Sequence, residues 1–175
     1  MNKQEAYVNH ETNIMIGTNG KPYVFFLGGV YSNWFPDTFT YNGKEYNCSE
    51  QYMMEQKALT FGDTEIAQQV MEAKTPDVQK YLGRQVRGFD RDKWMEVCQD
   101  LMVPALVAKF TANDWLKQVI LRSGDATLVE ASPVDLIWGV GWKRTDPEIL
   151  DEKNWRGMNL LGIVLMKARD IIKAQ

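Results

Sequence analysis

Between Asn47 and Gly124 the chain is divided by one helix start or stop signal after another, and this punctuation confines it to a mainly helical architecture. Asn47, with Glu50 three residues later, fits a capping box in its Asn form and predicts a helix over residues 47–59 that stops before Gly62. A second helix is predicted over 64–73, ending before Thr75-Pro76. Pro76 suits the first turn of a third, which Gly83 closes. Asp90 caps a longer helix of about two dozen residues, with Trp94, Val97, Leu101, Ala105, Ala108 and Phe110 mostly on its apolar stripe. Pro104 predicts a kink in it or a split into two. Further helices are expected over 114–121 and 159–173, the last with Leu161, Leu165, Ala168 and Ile172 on one face.

Strand signals are few. Residues 23–27, Tyr-Val-Phe-Phe-Leu, form an apolar run that ends at Gly28-Gly29 and reads as a buried strand. Residues 39–46 read as a hairpin turning at Asn42-Gly43, where both turn positions want positive φ. Leu128 and Val129 suggest a short strand, and 135–142 is an aromatic, glycine-punctuated loop. The expectation is an α+β, mainly helical fold with a small early hairpin or sheet and about six helices. It forms a single domain over 21–175, after a polar amino-terminal segment of residues 1–20. No βαβ alternation, GxGxxG or GxxxxGK[ST] loop is present, which argues against Rossmann and P-loop sites.

Composition narrows the chemistry. No apolar run approaches the ~18 residues of a membrane span, and the first residues lack the apolar stretch of a signal peptide, so a soluble, cytoplasmic protein is expected. Twenty Lys+Arg against 23 Asp+Glu give a net charge of −3, which disfavours a broad grip on nucleic acid. Cys48 and Cys98 form no CxxC pair, and the single histidine, His10, cannot complete a zinc site. His10 reads as a surface residue and Cys48 as a buried structural thiol. Acid–base chemistry therefore falls to carboxylates, lysines or tyrosines, and no metal or cofactor is called for.

Three segments are too polar or too rich in glycine for simple core. Residues 28–36 place glycines, Asn33 and the aromatics Tyr31, Trp34 and Phe35 after a strand, as a pocket lining or as an aromatic corner on the sheet. In residues 48–57, Glu50 and Lys57 share one helix face, ~10.5 Å apart along the axis, and Tyr52 pairs with Gln56. That spacing suits flanking a ligand. The plainer reading, preferred on sequence physics alone, makes Glu50 a capping acid and Lys57 a solvated surface lysine. Residues 128–141 bring Glu130, Asp135, Trp138, Gly139 and Gly141 together, as ribose and base contacts or as a structured turn.

At these segments the chain resembles the NADAR/YbiA-like family. Gly29 to Phe35 is similar to its G-x-[FY]-S-N-[FW] block, and Gly43-Lys44, Ser49-Glu50-Gln51-Tyr52 and Gln56-Lys57 to the next. Leu82-Gly83-Arg84, Trp94 and Ala108-Lys109-Phe110 match at suitable spacing. Leu128-Val129-Glu130 with Asp135, Trp138-Gly139 and Gly141 follows, then Gly157-x-Asn159-x-Leu161-Gly162 to Arg169. Many relatives carry His where this chain has Gln51, which moves the weight of any acid–base role onto Glu50.

The resemblance implies an N-glycosidase that cleaves a ribose carbon–nitrogen bond. Two substrate classes follow: ADP-ribose on guanine, in nucleotides or in DNA, and the phosphoribosyl-aminopyrimidine intermediates of riboflavin synthesis. For that reaction Glu50, which matches the family's Ser-Glu block, is the hypothesised general acid/base, Lys57 (or Lys44) a phosphate ligand or imine-forming amine, and Asp135 the second carboxylate. Arg84 and Lys109 become phosphate ligands, and Asn33, Phe35, Tyr52, Trp94, Glu130, Trp138 and Gly139 substrate contacts, with Trp94 also readable as core. The alternatives are a non-catalytic module binding ADP-ribose or NAD, and a protein-interaction domain.

Overall fold

The computed structural model describes residues 13–175; His10 and the rest of residues 1–12 lie outside the described residues. In chain order the elements are β1 (Met15–Ile16), β2 (Pro22–Phe26), β3 (Phe39–Tyr41), β4 (Lys44–Tyr46), α1 (Ser49–Thr60), α2 (Thr64–Glu72), α3 (Pro76–Gly83), α4 (Arg91–Thr111), α5 (Asp114–Arg122), β5 (Thr127–Glu130), two 3-10 turns at Pro147–Leu150 and Glu152–Asn154, and α6 (Leu160–Lys173). Six α-helices and two small sheets among the described residues give the expected mainly helical α+β class. No described helix is long and apolar enough to cross a membrane. The chain divides into two compact units, residues 33–112 and residues 113–175 with 13–32.

In the 33–112 unit, β3 and β4 form the expected hairpin, with Asn42 and Gly43 at φ of 50° and 76°. Phe39 and Tyr46 stack across it at 5.6 Å. Helix α1 packs on α2, α3 and α4. Its start differs from expectation, because Asn47 does not cap it. Cys48 holds the cap position and makes no side-chain bond to the first turn. The Asn47 carboxamide instead turns sideways, donating to Ala73 O at 3.3 Å and accepting from Gln79 Nε2 at 2.9 Å. The bond back to the Asn47 N–H comes from Gln51 Oε1 at 2.8 Å, so the reciprocal half of the box sits one residue later than Glu50.

Asp90 caps α4 by accepting from Lys93 N at 3.0 Å. The helix runs unbroken for 21 residues through Pro104, so the expected split does not occur. Met102, Ala105 and Leu106 are buried around the proline, and this packing keeps the helix whole despite one missing N–H. The buried stripe is Trp94, Cys98, Met102, Ala105 and Lys109, one residue round from the predicted face; Val97, Leu101 and Ala108 are half-buried. Gly83 is the last residue of α3, without a left-handed φ, and a Cβ there would overlap the Met54 side chain.

The other unit is built on a sheet of order β1-β2-β5. Strand β2 pairs with β5 in parallel, from Tyr23↔Thr127 to Phe26↔Glu130, and β1 pairs antiparallel within the stretch read from sequence as a polar lead-in. Tyr23, Phe25, Val129, Ala131, Val140 and Ile149 make its core. Helix α6 lies on β5, and a Cβ at Gly162 would overlap Leu128 O, so only glycine permits this approach. The Arg169 guanidinium is buried beneath, donating to Ser123 Oγ at 2.9 Å and Ala126 O at 2.7 Å.

Candidate active site

Glu50 stands in the first turn of α1 and is 2% exposed. Its N–H donates to Asn33 O at 2.9 Å, which fastens the start of the helix to the segment following residue 32. Two side-chain atoms at this junction, Asn33 Oδ1 and Ser49 Oγ, are buried without a hydrogen-bond partner. Asn33 Nδ2 faces Met53 Sδ at 3.9 Å, and Met53 is one turn along from Ser49. The Asn33 carboxamide, the Ser49 hydroxyl and the Glu50 carboxylate therefore gather at one helix end. Gln51 has a different task. Its Nε2 donates to Val70 O and Met71 O at 3.2 and 3.1 Å, so this side chain braces α1 against the end of α2.

Lys57, two turns further on, is not the solvated lysine of the plainer reading. It is half-buried, donates to Gly83 O at 2.7 Å and lies 4.0 Å over the Phe89 ring. Burial pushes its ammonium below the ordinary lysine value; the Glu50 carboxylate pulls it back up and the Arg84 guanidinium pushes it down. Glu50, Lys57 and the exposed Arg84 thus share one electrostatic neighbourhood.

Lys109 is fully enclosed on α4, with its ammonium 5.3 Å from the Phe110 ring centre and 5.8 Å from that of Phe35. Burial lowers it to about 8, against partial compensation from Asp37 and Cys48. Cys48 is buried as expected, donates to Gln79 Oε1 at 3.1 Å, and is raised by burial, the opposite of a reactive thiol.

Lys44, Tyr52 and Trp94 are engaged in packing. Lys44 Nζ pairs with Glu55 Oε1 at 2.6 Å, while Glu55 Oε2 accepts from Tyr46 OH at 2.7 Å. Tyr52 OH donates to Leu101 O at 3.0 Å, and Trp94 is 6% exposed on the buried stripe.

In the other unit, Asp135 organises the loop after β5. Its Oδ1 accepts from the N–H groups of Ile137 and Trp138 at 2.9 and 2.8 Å, and its own N–H donates to Ser132 Oγ at 3.2 Å. Trp138 is half-buried beside the buried Gly139, where a Cβ would crowd Ser132 and Asp135 O. Sequence reasoning missed the clamp on this loop. Asn159, at φ of 53°, heads α6 without capping it. Its Oδ1 accepts from Glu130 N at 3.1 Å, its Nδ2 donates to Leu128 O at 2.9 Å, and its N–H donates to Gly139 O at 3.1 Å. Its signal was an Asn at a helix start two residues after Gly157, which reads first as a cap.

Comparisons with known proteins agree on one family. The NADAR domain family matches residues 25–173. The N-glycosidase R617 of Acanthamoeba polyphaga mimivirus is 41% identical over 161 residues, covering 85% of this chain and 95% of that protein. The N-glycosidase YbiA of Escherichia coli (strain K12) is 30% identical over 142 residues, covering 81% and 80%. The NMR structure of E. coli YbiA superposes with a TM-score of 0.74 at 26% identity, covering 95% of this chain and 92% of that one.

Proposed function

The chain belongs to the NADAR family and is a glycosidase, and on that premise we propose that it hydrolyses the bond between a ribose carbon and an attached nitrogen, with Glu50 as the general acid/base. The substrates of this reading are ADP-ribosylated guanine and phosphoribosyl-aminopyrimidines. The observation that carries it is the carboxylate of Glu50, buried in the first turn of α1 within electrostatic reach of the half-buried Lys57 amine. Cleaving such a bond places positive charge on the anomeric carbon and requires a proton on the departing nitrogen. Glu50 delivers that proton, and its carboxylate then takes one from the incoming water. Lys57 has its charged form disfavoured by burial, so it offers more free amine than a surface lysine. The nitrogen lone pair first expels the ring oxygen, which Glu50 protonates; Lys57 Nζ then adds to C1 and returns a proton to Glu50, which delivers it to the nitrogen as the C1–N bond breaks. The resulting imine is hydrolysed by water to the free sugar aldehyde and the restored amine. Arg84 meets a phosphate, and Asn33 and Phe35 touch the sugar side.

Glu50→Gln should remain folded by circular dichroism and lose ~100-fold or more in kcat on either substrate class. Borohydride added during turnover should leave a sugar adduct on Lys57 by mass spectrometry. Retention of most turnover by Glu50→Gln would sink the acid/base assignment, and an adduct-free Lys57 would sink the imine.

A further inference from the structure

We infer that the Asn33 carboxamide oxygen and the Ser49 hydroxyl form a recognition pair for two neighbouring sugar hydroxyls beside Glu50, which makes the site selective for ribose over 2-deoxyribose. The inference rests on the reading of Glu50 as the reacting carboxylate, and it names what that site recognises.

Buried polar side-chain atoms are almost always hydrogen-bonded, so two without partners at one junction call for a bound group. Their proximity is fixed by the backbone. Asn33 O accepts from Glu50 N at 2.9 Å, Ser49 directly precedes Glu50, and the Asn33 amide reaches Met53, one turn beyond Ser49. The donor and acceptor inventory selects the partner. Asn33 Oδ1 only accepts, Ser49 Oγ both donates and accepts, and the neighbouring carboxylate only accepts when ionised. An acceptor-rich corner beside a carboxylate repels phosphate, and a purely apolar ring would leave both orphans unmatched. A pair of neutral hydroxyls satisfies the set: one donates to Asn33 Oδ1, and the other accepts from Ser49 Oγ–H. Sites built to bond a hydroxyl reject analogues that lack it far more strongly than apolar pockets reject a missing methylene.

The test compares ribose 5-phosphate with 2-deoxyribose 5-phosphate by calorimetry, and N-ribosyl with N-2-deoxyribosyl substrates by kcat/KM. Both are run on the unmodified chain, Asn33→Leu, Ser49→Ala and Ser49→Thr. The unmodified chain should prefer ribose by ~100-fold. Asn33→Leu and Ser49→Ala, checked for folding by thermal unfolding, should bring the preference to within ~5-fold, while Ser49→Thr keeps the hydroxyl and restores it. Glu50→Gln should lose turnover yet keep the binding preference, so a failed Glu50 assignment and a failed hydroxyl pair give different results. Equal binding of the two sugars to the unmodified chain, binding of neither, or a full preference surviving in either folded variant would overturn the inference.

Discussion

Lys109 is a cationic residue carried into the interior, and its consequence is measurable. Its ammonium titrates near 8 in the folded chain, against an ordinary value of 10.5. Between those values the unfolded chain holds a proton that the folded chain has released, so this group makes stability rise as pH climbs from about 8 to 10.5. Lys109→Met should be more stable than the unmodified chain at pH 7 and should lose that rise. Denaturant unfolding at pH 7 and pH 10 reads the difference, and comparing the two proteins removes the opposing contribution of groups such as Cys48. The sequence carried this signal without making it legible. Trp94, Cys98, Met102, Ala105 and Lys109 are spaced four, four, three and four residues apart, an ordinary buried stripe. Glu50 and Lys57 were legible because helical spacing alone puts them on one face. The half-burial of Lys57 was not, since it depends on Phe89 and the Gly83 carbonyl, which lie in later elements.

At the level of elements, helix and hairpin boundaries followed the local chemistry closely, and the departures arose where side chains were recruited by distant backbone. Asn47 and Asn159 both look like caps, and both spend their carboxamides elsewhere: on the end of α2 and on α3 in one case, on β5 in the other. Asp135 presents the converse. It was read as a second carboxylate, and its bonds are those of a turn former that orders the Trp138 loop. A turn former needs an acceptor oxygen and not a charge, and asparagine supplies one. Asp135→Asn should therefore keep kcat/KM within ~3-fold of the unmodified chain, and Asp135→Ala should lose ~10-fold or more and change Trp138 emission. Steady-state kinetics with tryptophan fluorescence checks both. Equal, large losses in the two variants would return Asp135 to direct chemistry.

For the molecule as a whole, charge limits how a polymer is held. With a net charge of −3 and cations distributed among ion pairs such as Lys44–Glu55 and Arg87–Asp63, a long phosphate track has little to meet. If the proposed ADP-ribosylated guanine is presented in a duplex, its turnover should thus fall only shallowly with salt, with a log–log slope corresponding to fewer than about three displaced counterions. A slope near that of a dedicated DNA binder would contradict this. The parallel pairing of β2 with β5 was invisible to local reading, because its partners are separated by all the elements from β3 to α5. That pairing also sets a schedule for synthesis. Residues 33–112 are one continuous stretch of chain. Strand β2 is made earlier, with only the short β1 to pair with, and its other edge has no parallel partner until Thr127–Glu130 emerges. The apolar run Tyr-Val-Phe-Phe therefore has one open edge to be shielded, as by a chaperone, during that interval.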